Sequence, residues 1–431
     1  MKKFQLSLRA SAAAAALLLA GQAHAQFSTD GYFRSGTGAG LKNNSAQCYG
    51  LSGEGLKYRL GNECDTYAEI NLKNTFKVGD LQFSGNIMPT YDSNGTGSRS
   101  TDLGQAFIEG TGFDFAPKVN FWVGKRYYDR SDVHITDTKY TQLDGTGGGA
   151  DGIEVAGGKL GVAYFRRSTN QTTDTSVTPN VSRDTGWGTA SRVNVDYSTS
   201  NVNPGGWLRV IGGFVSSEES YVDGSGNTIN GRSGMSLTIQ HYQDKLFGLG
   251  GGNTVWLQYA KGSAALNGGF TKAFNNPGTD GNDWAPDATG NNWLEDHRSL
   301  KHVRIADAFT WQTGNFGGQV VAHIQQDDST QFKTRSTSLG GRAAYSFTTN
   351  FKLVGEVGVS TKKAGDNDTQ KLTKFTIAPT LATGKGFMDR PELRLFYTHA
   401  QWNEAAAAGG NGLPSDRTSA NRFGVQAEIW W

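Results

Sequence analysis

The feature that most constrains this chain is a period-two alternation of apolar and polar side chains. Apolar and polar residues take opposite positions in segments such as 193–197, 235–240 and 254–259. Successive side chains of a β-strand point to opposite faces, so this period predicts strands with one apolar and one polar face. The polar faces carry arginine, aspartate, glutamine and glutamate, which suits water. The chain is therefore predicted to be all-β.

The connections between these strands are rich in turn-forming residues. Glycine occupies 59 of 431 positions, and it clusters with Asn and Asp in segments such as 91–98, 223–231, 275–292 and 405–416. These segments alternate with tighter connections, an arrangement typical of outer-membrane barrels. At roughly 22 residues per strand and connection, about 18 strands fit the available length. We therefore predict one transmembrane antiparallel β-barrel domain over residues 26–431, because a soluble sandwich of this length needs two or more domains and no linker divides the chain.

The first 25 residues have the pattern of a secretory signal peptide. Three basic residues precede the alanine- and leucine-rich run 12–20, and Ala23-His24-Ala25 gives an A-x-A cleavage site. The apolar run is much shorter than the ~20 residues that a membrane-spanning helix needs. Removing three basic residues changes the formal net charge from +2 to −1. A nucleic-acid partner is therefore not expected.

The chain contains two cysteines, Cys48 and Cys64. In an exported protein such a pair most simply forms a disulfide. A bond closing a loop of this size stabilises the fold by roughly 3 kcal/mol in the chain-entropy model.

The last strand, FGVQAEIWW, indicates how the sheet ends. Phe423, Val425 and Ile429 share one face, whereas Glu428 and Trp430 lie on the other. A membrane-spanning sheet must close on itself because the bilayer offers no water to unpaired backbone groups. Trp430 is unusual as a large aromatic on the polar face; the alternative interpretation is a residue of the interfacial aromatic belt at a frayed end.

Other aromatic residues also share faces with charged or polar ones. Tyr32 lies on the same face as Arg34, Tyr67 on that of Glu69, and Trp256 beside polar residues of its strand. A sugar ring has an apolar C–H face that stacks on an aromatic plane and a rim of hydroxyls that hydrogen-bond charged groups. The pattern predicts a carbohydrate path along a wetted inner face.

Several motifs then resemble those of the maltoporin family, the outer-membrane sugar channels of Gram-negative bacteria. They are GYFRSG (31–36), KYRLGNECDTYAE (57–69), GKRYYDRSDVH (124–134), NPGG (203–206) and the terminal EIWW. The resemblance implies an eighteen-stranded, trimeric barrel in lipid and lipopolysaccharide, with an inward-folded third loop that narrows the pore. It further implies that sugars pass an aromatic slide and a polar track. The slide positions that it implies are Tyr32, Tyr67 and Trp430, and the track positions are Arg34, Arg59, Glu69, Arg130, Asp132, His134 and Asp137.

The chain departs from the family pattern at the middle of the slide. Lys139 stands where the family has a constriction tyrosine, with Tyr140 next to it, and Met388 replaces a slide tryptophan. A slide phenylalanine falls on Val255, although Trp256 adjoins it. A track arginine falls near Gly104, and residues 92–101 lack the tryptophan that a neighbouring subunit contributes. The resemblance therefore implies sugar transport, but not the family's preference for long malto-oligosaccharides.

The charged segment 124–140 allows three interpretations from the sequence alone. The mixed charges of 124–140 suit the lining of a polar passage, a mutually neutralised cluster or a catalytic cleft, since His134 lies near Asp132 and Asp137. No HExxH, CxxC, GxSxG or Walker A motif occurs, and the glycine-rich run 145–158 lacks the Lys-Ser/Thr of a phosphate loop. We expect a passive channel for maltose-like sugars without cofactor or enzymatic activity. The alternatives are a porin for other sugars or for small or anionic solutes, attracted by Lys139, and an outer-membrane hydrolase barrel.

Overall fold

The structure is a computed structural model that describes most of the chain after residue 25. The described residues are 26–40, 48–51, 57–93, 98–167, 171–174, 181–184, 190–217, 221–222, 228–229, 233–265, 270, 273, 300–328, 333–408 and 413–431. The predicted signal peptide 1–25 and the turn-rich segment 275–292 lie outside these residues.

Eighteen strands form one closed antiparallel barrel in which each strand pairs with the next barrel strand along the chain. The barrel closes where the first strand pairs with the last, placing Tyr32 opposite Trp430. The barrel strands are β1 (Gln26–Gly40), β2 (Thr66–Val78), β3 (Leu81–Ser93), β4 (Arg99–Thr111), β5 (Asn120–Val133), β6 (Thr138–Val155), β7 (Gly158–Arg167), β10 (Ala190–Asn203), β11 (Gly206–Ser217), β14 (Ser233–Asp244), β15 (Gly252–Gly262), β16 (Lys301–Thr313), β17 (Phe316–Asp328), β18 (Lys333–Ser346), β19 (Phe351–Ala364), β20 (Gln370–Ala382), β21 (Glu392–Trp402) and β22 (Ser419–Trp430). The prediction of an all-β barrel with about 18 strands is confirmed.

The remaining regular elements lie in the longer connections. Two small hairpins are formed by β8 (Gln171–Asp174) with β9 (Val181–Asp184), and by β12 (Tyr221–Val222) with β13 (Thr228–Ile229). A short α-helix, Glu404–Ala408, follows β21.

The alternation sorts the side chains between two surfaces of the barrel wall. On β10, Val193 and Val195 are 41% and 43% exposed on the outer surface, whereas Arg192 and Asn194 point inward and are 2% and 0% exposed. An apolar outside and a polar inside reverse the order of a water-soluble protein and suit a hydrocarbon environment. The lumen is therefore the place where charged side chains meet.

The β5–β6 hairpin leaves the wall and crosses the lumen. Pairing of β5 with β4 ends at Lys125, opposite Ala106, while β5 and β6 remain paired up to the tip at 134–137. Just beyond the tip, Tyr140 of β6 reaches the barrel wall and stacks on Trp256 of β15 with ring centroids 4.6 Å apart. This is the inward-folded loop that the family resemblance implied, and we call it the constriction hairpin.

The segment 57–65, between β1 and β2, also folds into the lumen. Tyr58 lies against Gly340 and Gly358, where an added Cβ would meet its ring at 2.4 and 1.9 Å. The Leu60 amide donates to Glu356 on β19 at 2.9 Å. The predicted Cys48–Cys64 disulfide is present and closes this connection. The inward path of 57–65 was not predicted from the sequence.

The largest apolar core therefore sits inside the barrel, on one side of the lumen. Apolar residues of the two inward segments pack there against inward-facing residues of the wall. Its buried members include Tyr58, Leu60, Val133, Ile135, Tyr140, Trp256, Phe387 and Phe396. This core holds the constriction hairpin in place. The open space of the lumen lies along the other faces of the hairpin.

Candidate functional site

A cavity of about 740 Å³ lies between the constriction hairpin and the wall where the barrel closes. We call it the front cavity. Its lining contains all but one of the residues predicted from the sequence to contact a permeating solute. These residues are Tyr32, Arg34, Arg59, Tyr67, Glu69, Arg130, Asp132, His134, Asp137, Lys139 and Trp430.

Two tyrosines of neighbouring strands form one side of the front cavity. Tyr32 on β1 and Tyr67 on β2 have ring centroids 6.2 Å apart and planes inclined by 46°. The Tyr32 hydroxyl donates to Glu428 at 2.9 Å, and the Tyr67 hydroxyl donates to Glu69 at 2.7 Å. Because both hydroxyls are held, the ring planes are fixed before any solute arrives.

Trp430 extends this aromatic wall from the neighbouring strand β22. The Arg390 guanidinium lies over its ring, 4.3 Å from the centroid, and the His134 ring meets it edge-on at 5.2 Å. Trp430 thus lies in the lumen, where its parity predicted it, rather than in an outer aromatic belt. Arg390 and Glu428 were missed by sequence reasoning, although Glu428 belongs to the EIWW motif that carries the family resemblance.

Opposite charges meet where the hairpin tip touches β1. Arg34 pairs with Asp137 of the tip at 2.7 Å and with Asp65 at 2.8 Å. Lys139 lies 3.8 Å from the other Asp137 oxygen. Burial raises the pKa of Asp137, but the charges of Arg59, Lys139 and Arg34 outweigh it and lower that pKa well below its usual value. Asp137 is therefore an anion that joins two cations at the hairpin tip.

His134 and Arg59 form a second buried group beside Trp430. Arg59 pairs with Glu428 at 3.0 Å and also with Glu63. Burial lowers the pKa of His134 to about 4, with Arg390 and Arg59 acting in the same direction and Glu428 opposing them. Arg390 lies 2.8 Å from the His134 Nε2, where a neutral ring accepts its hydrogen bond. His134 is therefore uncharged at neutral pH and serves as a packing and hydrogen-bonding group.

The β5 arm of the constriction hairpin contributes a further ion pair and one residue that was not predicted. Arg130 pairs with Glu69 at 3.3 Å, and Asp132 lines the cavity close by. Tyr127 lines the same space and interacts with Tyr67. The signal for Tyr127 was available, since it belongs to the GKRYYDR motif, but the bulge after Tyr128 obscures which face it takes.

The structure does not bring Trp256 to the front cavity. This residue points into the lumen, but Tyr140 covers its ring and leaves it 2% exposed. Lys139 and Tyr140 take opposite faces of β6, so the lysine faces the cavity and the tyrosine faces the wall. Met388, at the place of a family slide residue, does line the cavity.

The front cavity can hold a neutral, hydroxyl-rich molecule. Its lining carries five basic residues, Arg34, Arg59, Arg130, Lys139 and Arg304, and five acidic ones, Asp30, Glu69, Asp132, Asp137 and Asp144. Paired charges donate and accept hydrogen bonds at adjacent points without an excess of either sign. Within the described ranges, no three His, Cys, Asp or Glu side chains converge to hold a metal ion.

Comparison with known proteins places this chain among outer-membrane channels. It matches the family model described as LamB porin over residues 27–431. It is similar in structure to OccAB1 of Acinetobacter baumannii, with a TM-score of 0.51, 10% sequence identity and coverage of 94% of this chain and 96% of that one. It is also similar to a BenF-like porin of Pseudomonas fluorescens Pf-5, with a TM-score of 0.48, 10% identity and coverage of 95% and 98%. At this identity, the likeness to OccAB1 supports the barrel fold alone.

Proposed function

Because the chain belongs to the LamB porin family, we propose that it is a passive outer-membrane channel that conducts neutral, maltose-like carbohydrates through the front cavity. The match to the family model supports the resemblance found in the motifs at the level of the porin family. The observation that carries the sugar proposal is that Tyr32, Tyr67 and Trp430 meet on one side of a cavity whose other sides are lined by paired charges.

The aromatic residues supply a surface for the apolar faces of sugar rings. They come from three adjacent strands, β2, β1 and β22, so their rings follow one another around the wall. Stacking needs no single hydroxyl pattern, which lets a ring move from one aromatic plane to the next. The slide retains these members and lacks the family's middle ones, which favours short sugars over long oligosaccharides.

The charged residues would bind the hydroxyl rims. A hydroxyl can donate to Asp137 or Glu69 and accept from Arg34 or Arg130 without separating the ion pairs. Binding of this kind is weak and repeated, which a selective pore needs for both entry and release. No energy source is required because the concentration gradient drives the flux.

The same family membership supports the proposed surroundings of the protein. We expect a homotrimer in the outer membrane, in contact with lipid and lipopolysaccharide, and no enzymatic activity. A porin for other sugars or for small anions remains the second candidate, since Lys139 faces the cavity beside the hairpin tip.

The test is single-channel current block in planar bilayers with maltose, maltotriose, sucrose and cellobiose added in turn. We expect at least one neutral sugar to block the current reversibly. Trp430→Ala should weaken that block by roughly 2- to 12-fold, because an aromatic stacking contact contributes about 0.5–1.5 kcal/mol.

The matched control is Trp311→Ala, which removes a tryptophan that lies against Phe309 and Phe316 on the outer surface. This variant should bind sugar like the wild type. Absence of block by every neutral sugar would refute the carbohydrate proposal and leave the porin fold in place.

A further inference from the structure

The constriction hairpin has a second face, which borders another cavity. This rear cavity has a volume of about 1100 Å³ and lies between the hairpin and the wall formed by β7, β10 and β11. The hairpin lines it with Arg126, Tyr128 and Asp129, the neighbours of the front-cavity residues Tyr127 and Arg130. The two cavities are therefore separate spaces on opposite sides of the same strand.

The rear cavity contains a lumen-facing tryptophan that the family motifs did not identify. Trp207 on β11 shares its face with Arg209, which also lines the cavity. Its neighbour on β14 is Tyr242, whose ring stacks on the indole with centroids 5.5 Å apart and planes 17° apart. Tyr242 thus supports one side of the indole and holds the ring as it borders the cavity.

Paired charges stand around this tryptophan. Arg209 pairs with Asp129 of the hairpin at 2.9 Å, and its Nε donates to Asp196 of β10 at 2.9 Å. On the other side of the cavity, Arg126 lies 3.6 Å from Asp151. The rear cavity thus repeats the chemistry of the front one: a fixed aromatic plane lies beside paired carboxylate and guanidinium groups.

We propose that the rear cavity is a second carbohydrate-binding site, with Trp207 as its stacking platform and the Arg209–Asp129–Asp196 group as its hydroxyl-binding partner. The cavity volume is ample for a disaccharide, since small-molecule sites occupy about 300–1,000 Å³. The ligand class rests on the proposed function, but the site itself stands on its own lining residues. Trp207 would bind a cyclic sugar and not an acyclic polyol, because only a ring presents a flat C–H face.

The test uses ¹⁹F NMR of the full protein in detergent, with its ten tryptophans replaced by 5-fluorotryptophan. Trp207→Phe and Trp430→Phe assign the two resonances of interest by their disappearance. Maltose and cellobiose are then titrated, with sorbitol as the acyclic control. We expect the Trp207 resonance to shift in a saturable manner with a cyclic sugar and to show no shift with sorbitol. The same sugar-dependent shift should occur in the Trp430→Phe protein.

The outcomes separate this inference from the function proposed above. If the Trp430 resonance shifts and that of Trp207 does not, the rear site is refuted and the front-cavity proposal stands. If Trp207 responds only when Trp430 is present, its shift is transmitted from the front cavity and the rear site is again refuted. If neither resonance responds to any sugar, the proposed function fails as well.

Discussion

At the level of single residues, strand parity determines which side chains face the lumen but not which of them remain accessible. Trp256 has the inward parity expected of a solute contact, yet Tyr140 of the constriction hairpin covers it. That contact joins residues far apart in sequence, so the local pattern around Trp256 contains no sign of it. Tyr32, Tyr67 and Trp430 could be predicted because parity and motif agree for each, and all three still line the front cavity.

His134 provides a prediction on pH dependence. Because burial lowers its pKa to about 4, lowering the pH from 7.5 to 5.5 should leave both channel conductance and the dissociation constant of a blocking sugar unchanged through this residue. The unfolded chain has a histidine pKa near 6.5, so it takes up the proton first. His134 therefore favours the folded state above about pH 6.5, and that contribution declines as the pH falls toward about 4.

The measurement is sugar block across this pH range, with His134→Gln as the reference protein. A sugar affinity that titrates with a midpoint near pH 6.5 in the wild type, but not in His134→Gln, would contradict a buried neutral histidine.

At the level of elements, the barrel strands were predictable and the inward segments were only partly so. Period-two alternation marks a strand wherever one face meets lipid and the other meets the lumen. The inward course of the constriction hairpin followed only from family resemblance. The course of 57–65 depends on Gly340 and Gly358, two positions on distant strands that leave room for Tyr58. The sequence around Tyr58 carries no sign of the space that these glycines leave in the barrel wall. The inward course of 57–65 could therefore not be deduced from the sequence.

The glycine gap can be tested by filling it. In Gly358→Ala, the new Cβ would lie 1.9 Å from the Tyr58 ring, which must move and lose its 2.8 Å hydrogen bond to Ser338. Such overpacking costs about 1–3 kcal/mol. Because Arg59 follows Tyr58 directly and lines the front cavity, we expect the affinity for a blocking sugar to fall by roughly 5-fold or more.

Gly355→Ala is the matched control on the same strand, because its added Cβ meets no atom within 4 Å. Sugar block should separate the two variants, while both retain the heat-modifiable electrophoretic mobility of a folded barrel. Equal sugar affinity in the two proteins would show that Tyr58 does not position Arg59.

For the whole molecule, the decisive property is the reversal of inside and outside. Closure through the pairing of β1 with β22 leaves no open edge in the barrel. The lumen then collects the charged side chains that the outer surface excludes, and the constriction hairpin divides it into the front and rear cavities. The number of strands could be predicted from chain length and alternation. The division into two cavities depends instead on the residue at which β5 separates from β4. The only sequence features near this point are Gly124 and the bulge near Asp129.

The charge balance of the front cavity leads to a prediction for ion selectivity. Five basic and five acidic residues line it, so the wild-type channel should discriminate only weakly between K⁺ and Cl⁻. Lys139→Gln removes one positive charge from this lining. A unit charge acting over about 10 Å in water contributes about 0.4 kcal/mol to each ion, with opposite sign for K⁺ and Cl⁻, so the K⁺/Cl⁻ permeability ratio should rise roughly 4-fold. Lys118→Gln removes an exposed lysine paired with Glu154 outside this lining and should leave the ratio unchanged.

The permeability ratio of the wild type and of the two variants is measured from the reversal potential in a KCl gradient. A strongly anion-selective wild type that loses its selectivity in Lys139→Gln would favour the alternative of an anion porin, because a lumen balanced for neutral sugars cannot depend on a single lysine for its selectivity.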